Sequence, residues 1–167
     1  MGKISVLRGE NLTLTTAVNV LAALQTAASG SAAARVKVKR LEISQSGSTT
    51  LGMVRGSIST RDTAGTLTTT SLAPRMIKPL DGGSSGLASS TAPAGGTARS
   101  GINGTVDSGG TYTTAHPFAF ANLNGYLYQP TPDTEIEVPA STLLVVRFLA
   151  DPAMLTGWTF TLIIEES

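Results

Sequence analysis

His116 is the single histidine of the chain, so a Ser-His-Asp triad or a histidine acid–base pair would have to use it. Asp107, Asp133 or Asp151 would then be the orienting carboxylate. The local run Thr114-Ala115-His116-Pro117 has the character of chain entering a strand, which favours a satisfied histidine over a general base. Carboxylate chemistry fares no better. The pairs Glu135/Glu137 and Glu165/Glu166 have no third ligand nearby, and with zero cysteines there are no thiolates to complete a metal site. Glu135 and Glu137, two apart, share one face of a strand, where charges discourage edge-to-edge pairing. The glycines from Gly47 to Gly52 are followed by Met53 where a phosphate loop needs lysine, and no GxGxxG opens a helix. We therefore expect no enzyme, no cofactor, no metal and no small-molecule substrate.

The remaining charge is equally informative. Arg35, Lys37 and Lys39 fall on the face of one strand opposite Val36 and Val38, with Arg40 beside them. Either solvent or an acidic partner surface suits that face. Twelve Lys and Arg stand against eleven Asp and Glu, a net +1, which leaves little excess for repeated phosphate contacts. Nucleic acid is not an expected partner. No run approaches the roughly 20 apolar residues that span a bilayer, and Met1 to Glu10 lacks the pattern of a signal peptide, so no membrane association is expected.

The elements that position these residues follow from composition and period. A length of 167 residues suits one domain, 1–167, and 41% hydrophobic residues with mean hydropathy +0.15 provide for a core. Small residues dominate and aromatics are 5%, which favours strands and small-residue loops. Lys3–Leu7 and Asn11–Thr15 alternate as half-buried strands with a turn at Arg8, Gly9 and Glu10. Ala17, Val20, Leu21, Leu24 and Ala28 recur at helical spacing and predict a short N-terminal helix, although Thr and Val content leaves a strand open.

Arg35–Gln45 is a strand whose alternation slips by one after Val38, and a bulge near Lys39 and Arg40 would return Leu41 and Ile43 to the same face. Thr50–Thr60 is its expected antiparallel neighbour, with Leu51, Met53 and Ile58 inward and Arg55 outward. Residues 62–115 are rich in Gly, Ser and Thr and predict an extended loop arm. Short strands within it are expected around Gly65–Leu72 and Thr97–Val106, with turns at Asp81–Gly86 and Ala92–Gly96. Phe118–Tyr128 is extended and aromatic, leading to Gln129-Pro130-Thr131-Pro132. Glu135–Val138, Thr142–Leu149 and Trp158–Ile164 complete the strands, and Glu165-Glu166 is expected to end the last one in solvent. The fold class is all-β, a sandwich with a short N-terminal helix and a long loop arm.

Four features of the C-terminal stretch occur in a recognisable order. They are the aromatic, proline-containing approach, Glu135-Ile136-Glu137-Val138-Pro139, then Leu144-Val145-Val146-Arg147-Phe148, then a terminal strand ending in a Glu pair. The stretch resembles the closing strands of small jelly-roll structural proteins of tailed bacteriophages, the capsid cement or decoration group. Leu12–Thr16, the basic strand Val36–Ile43 and the proline-containing Leu72–Leu80 are similar to the group's first half. The resemblance implies a jelly roll at the capsid surface of a virion, made in host cytoplasm, that bridges subunits of the major capsid protein. It also implies a homo-oligomer, a trimer in many such groups. Partner contact is expected from Met1–Arg8 and Asp81–Arg99, with Lys3, Arg8, Arg35, Lys37, Lys39 and Arg99 as candidate residues. A carbohydrate- or receptor-binding module of a head or tail fibre is the alternative, with Tyr112, Tyr126 and Tyr128 as the available aromatic stack.

Overall fold

Trp158, Phe160, Leu162 and Ile164 alternate along the last strand with Thr159, Thr161, Ile163 and Glu165, and each of the first four is at most 1% exposed. Burying each such side chain contributes about 1.5–3 kcal/mol, opposed by the conformational entropy lost on ordering the chain. That strand, β13 (Trp158–Glu166), lies between β3 (Val36–Gln45) and β1 (Lys3–Leu12). The computed structural model describes residues 2–14, 18–62, 67–77, 85–93, 97–105, 110–150 and 152–167.

These residues form two sheets, antiparallel apart from one short pair, that face each other as a β-sandwich. The six-stranded sheet runs β10 (Tyr126–Tyr128), β3, β13, β1, β6 (Arg75–Met76), and β11 (Ile136–Val138) also pairs with β3. The seven-stranded sheet runs β5 (Thr70–Ser71), β8 (Arg99–Thr105), β2 (Val18–Gln25), β12 (Leu143–Phe148), β4 (Met53–Arg61), β9 (Tyr112–Ala121). Its remaining strand, β7 (Ala88–Ser89), pairs parallel to β8. Between the sheets, Leu41, Phe160 and Trp158 from one meet Ile58, Val146 and Phe148 from the other in a single apolar cluster.

The bulge expected in β3 is present. Ile163 pairs with Arg40 and Ile164 with Val38, so Lys39 is the extra residue, and Val36, Val38, Leu41 and Ile43 all face the core.

Residues 18–25 are a strand, not the short N-terminal helix expected over Ala17–Ala28, of which Ala17 lies outside the described residues. Both faces of β2 are covered. Leu21 and Leu24 point into the inter-sheet core, while Val20 and Ala23 pack with Leu143, Val145 and Leu67 on the sheet's outer side. A strand buried on both faces loses period-2 alternation, and its pairing with β8 and β12 overrides local helix propensity.

Other expectations change for equally local reasons. Arg8, Gly9 and Glu10 continue β1 instead of turning, with the irregularity falling between Gly9 and Leu12. Gly9 serves a close approach: a Cβ there would stand 2.5 Å from the Phe160 ring. Thr15, at the end of the second expected strand, lies outside the described residues. β3 and β4 belong to different sheets. Met53 shares the outward face of Arg55, and the strand turns Val54, Gly56 and Ile58 inward, because residues two apart point the same way. Leu51 is exposed as well.

Glu166 is not in solvent. It is 3% exposed, carried inward by the same alternation that buries Ile164. Within the expected arm, β5 and β8 fall in the two segments proposed as strands, while Leu87 and Ile102 join the central core and Leu67 the outer cluster. Residues 65, 66 and 106 of those segments, and 81–84 and 94–96 of the turn candidates, lie outside the described residues.

Candidate functional site

His116 sits on β9 and meets β10, where the outermost strands of the two sheets approach each other. Its Nε2 lies 2.7 Å from Tyr126 Oη, and its ring centroid is 4.5 Å from that of Tyr128. Phe118 stacks on Tyr126 at 4.6 Å, and Phe120 leads edge-on to Trp158 in the centre. Alternation along β9 aims Phe118 and Phe120 inward, so the rings close this side of the sandwich. Burial lowers the His116 pKa below its ordinary value and raises that of Tyr126. Burial and the neighbouring Glu135 carboxylate raise that of Tyr128.

The hydrogen-bond partner the structure gives His116 is thus a phenol, an arrangement suited to packing. Asp133 lies exposed on a 3-10 turn, Pro132–Thr134, and the other two proposed orienters, Asp107 and Asp151, lie outside the described residues. The three tyrosines do not form one stack. Tyr112 lies against the outer cluster of the seven-stranded sheet beneath the Arg147 guanidinium, 4.0 Å from its ring centroid, while Tyr126 and Tyr128 are half-buried against His116 and Phe118.

The basic residues proposed as contacts fall mainly on the six-stranded sheet. Lys39 bridges Glu135 and Glu165, the latter at 3.2 Å, and its pKa is raised chiefly by the hydrogen bond to Glu135. Arg35 pairs with Glu137 at 3.2 Å, Arg40 with Glu42, and Arg8 with Glu10 at 2.9 Å. Lys37 is in register with both Glu137 and Glu165, and Lys3 with Glu166. Arg99 stands apart at the start of β8, exposed and opposite Gln25. Four carboxylates from β10–β11, β13 and β3 therefore balance the basic stripe, in pairs that contribute about 0–1 kcal/mol each when exposed. Of the expected cationic face, Arg35, Lys39 and Arg40 are each paired with a neighbouring carboxylate.

A different surface is left open on the outer side of the seven-stranded sheet. Met53 is 69% exposed and Leu149 52%. Met53 pairs with Ala121 and Arg55 with Ala119, and the Leu149 N–H donates to the Arg55 carbonyl at 2.9 Å. Arg55, Pro117, Ala119 and Leu149 rim a shallow groove of about 370 Å3 whose floor is Gly56 and Phe118. Sequence reasoning placed Met53 in the core. The parity of Met53 with Arg55, against Ile58, was the available signal.

The loops at this end are fixed by Asn122, which is 3% exposed. Its amide donates to Gln45 Oε1 at 2.9 Å and the Thr50 carbonyl at 3.0 Å, and its oxygen accepts from Gly52 N–H at 2.8 Å. Leu51 and Leu123, flanking that network in the chain, are also half or more exposed. Comparison of the chain with protein-family models, curated proteins and solved structures finds no match.

Proposed function

We propose that this chain is a virion structural protein, a jelly-roll cement or decoration protein at the capsid surface that bridges subunits of the major capsid protein. The strand orders support the jelly-roll reading. β1, β13, β3 and β10 of one sheet face β2, β12, β4 and β9 of the other, and β1–β2, β3–β4, β9–β10 and β12–β13 each pass from one sheet to the other. On this reading the segment between β4 and β9 is an insertion whose strands β5, β7 and β8 extend the second sheet and whose β6 pairs with β1 in the first.

The observation that carries the functional reading is the set Leu51, Met53, Leu123 and Leu149, four of the six large apolar side chains exposed among the described residues, each at least 50% exposed. Large apolar side chains grouped at one end of a rigid sandwich mark a contact surface. A homo-oligomer, as in the trimeric cement proteins, would multiply modest contacts on a repeating lattice through avidity. The tyrosines argue against the glycan-binding alternative, because Tyr126 and Tyr128 face ring partners and Tyr112 is capped by Arg147. Co-sedimentation of the purified protein with heads assembled without it tests the proposal. Saturable binding together with raised thermal stability of the heads is expected, and heads that neither bind it nor change stability would refute it.

A further inference from the structure

We infer that the surface formed by Met53, Arg55, Pro117, Ala119 and Leu149 is the docking site for a carboxylate-bearing apolar segment of the protein partner. The inference rests on the structural reading above and names the partner's chemistry at one place. Met53 and Arg55 lie two apart on β4, and Ala121 and Ala119 are their direct partners on β9, so all four side chains share the outer face. Leu149 continues β12 beside Arg55. On the six-stranded sheet Arg8, Arg35, Lys39 and Arg40 each have a carboxylate, whereas the Arg55 guanidinium makes no ion pair or hydrogen bond among the described residues.

A guanidinium rimmed by apolar side chains selects its partner by two criteria. Its planar fork suits a carboxylate bidentately, and the surrounding Met53, Leu149 and Pro117 would shut water out once an apolar surface covers them. Phosphate polymers are a poor match, since they are held by several cations together. Addition of a strand along β9 is also a poor match, because Pro117 removes a backbone donor from the middle of that edge strand. Side-chain docking of an acidic, apolar protein segment satisfies both criteria.

The test uses the full-length protein and heads assembled without it. Arg55→Glu is expected to weaken co-sedimentation by at least about thirtyfold, the loss that follows from leaving one partner of a covered charge pair without its mate. Leu149→Ser, which keeps the charge, should weaken it by about tenfold. Met53 provides a second readout: its oxidation by peroxide should slow on the heads relative to free protein, while that of Met154, which is partly covered already, changes little. Wild-type protein that fails to bind heads would overturn the structural reading itself. Wild-type protein that binds, with Arg55→Glu binding equally and Met53 unprotected, would overturn only this docking site. A variant that changes oligomeric state by light scattering while keeping head affinity would assign the surface to a second copy and overturn the stated partner.

Discussion

Replacing Glu166 tests whether the described part of the insertion is held to the sandwich by one buried carboxylate. Its Oε1 accepts from the hydroxyls of Ser5 and Ser85, the latter at 2.7 Å, and its Oε2 accepts from the Gly86 N–H at 2.7 Å. Glu166→Gln keeps the shape. The amide oxygen must face Gly86, which can only donate, while the amide nitrogen faces two serine hydroxyls that can turn to accept. The bonds survive but lose their charge assistance, so the expected loss is about 1–2 kcal/mol. Glu166→Ala takes the acceptor from the Ser85 hydroxyl and the Gly86 N–H and leaves the Ser5 hydroxyl only the weak acceptor Met76 Sδ at 3.4 Å, and Ser5 is 0% exposed, so water cannot replace the carboxylate there. An unpaired buried donor costs about 1–3 kcal/mol, and the lost packing brings the expected total to at least about 3 kcal/mol. Urea denaturation at neutral pH reads the global loss. Hydrogen exchange read over residues 85–93 should rise in Glu166→Ala ahead of that in β13. An alanine variant within about 0.5 kcal/mol of wild type, the ordinary range for surface substitutions, would refute the reasoning.

Gly56→Ala would place a Cβ 2.2 Å from the Phe118 ring and 2.8 Å from the Arg147 carbonyl oxygen. We expect a loss of about 1–3 kcal/mol, seen in calorimetry as a melting temperature lower by roughly 2–4 °C per kcal/mol. Asn122→Ala should cost about 1–3 kcal/mol by urea denaturation, since Gly52 N–H loses its acceptor. For His116 the sign follows from its lowered pKa: the unfolded chain takes up a proton that the folded chain resists. Its contribution is complete above the unfolded value of about 6.5 and is lost as pH falls toward the lower folded value. The wild-type urea midpoint should therefore fall between about pH 7.5 and 5.5 more steeply than that of His116→Gln, and equal slopes would exclude the histidine as the cause.

Period and parity along the chain specified β13, β3 with its bulge at Lys39, and the inward set Val36, Val38, Leu41 and Ile43. Each of these is a half-covered strand, and a strand with one wet face writes its orientation into consecutive residues. β2 did not announce itself in that way, because residues distant in sequence close its second face: Leu67 packs with Val20 and Ala23, and Val145 stands beside Ala23 on the neighbouring strand. The same distance separates the partners that decide chemistry at the surface. Lys39 became an ion-paired residue only when Glu135 and Glu165 were brought beside it, and Glu166 became a buried acceptor only when Ser85 and Gly86 met it. Arg55 is the converse, a cation to which the fold brought no acid and around which it left Met53 and Leu149 exposed. Alternation is a local property and can be counted along the chain. Which partners Arg35, Lys39 and Glu166 find depends on residues 80 or more positions away in the chain, and only the assembled sheets determine those.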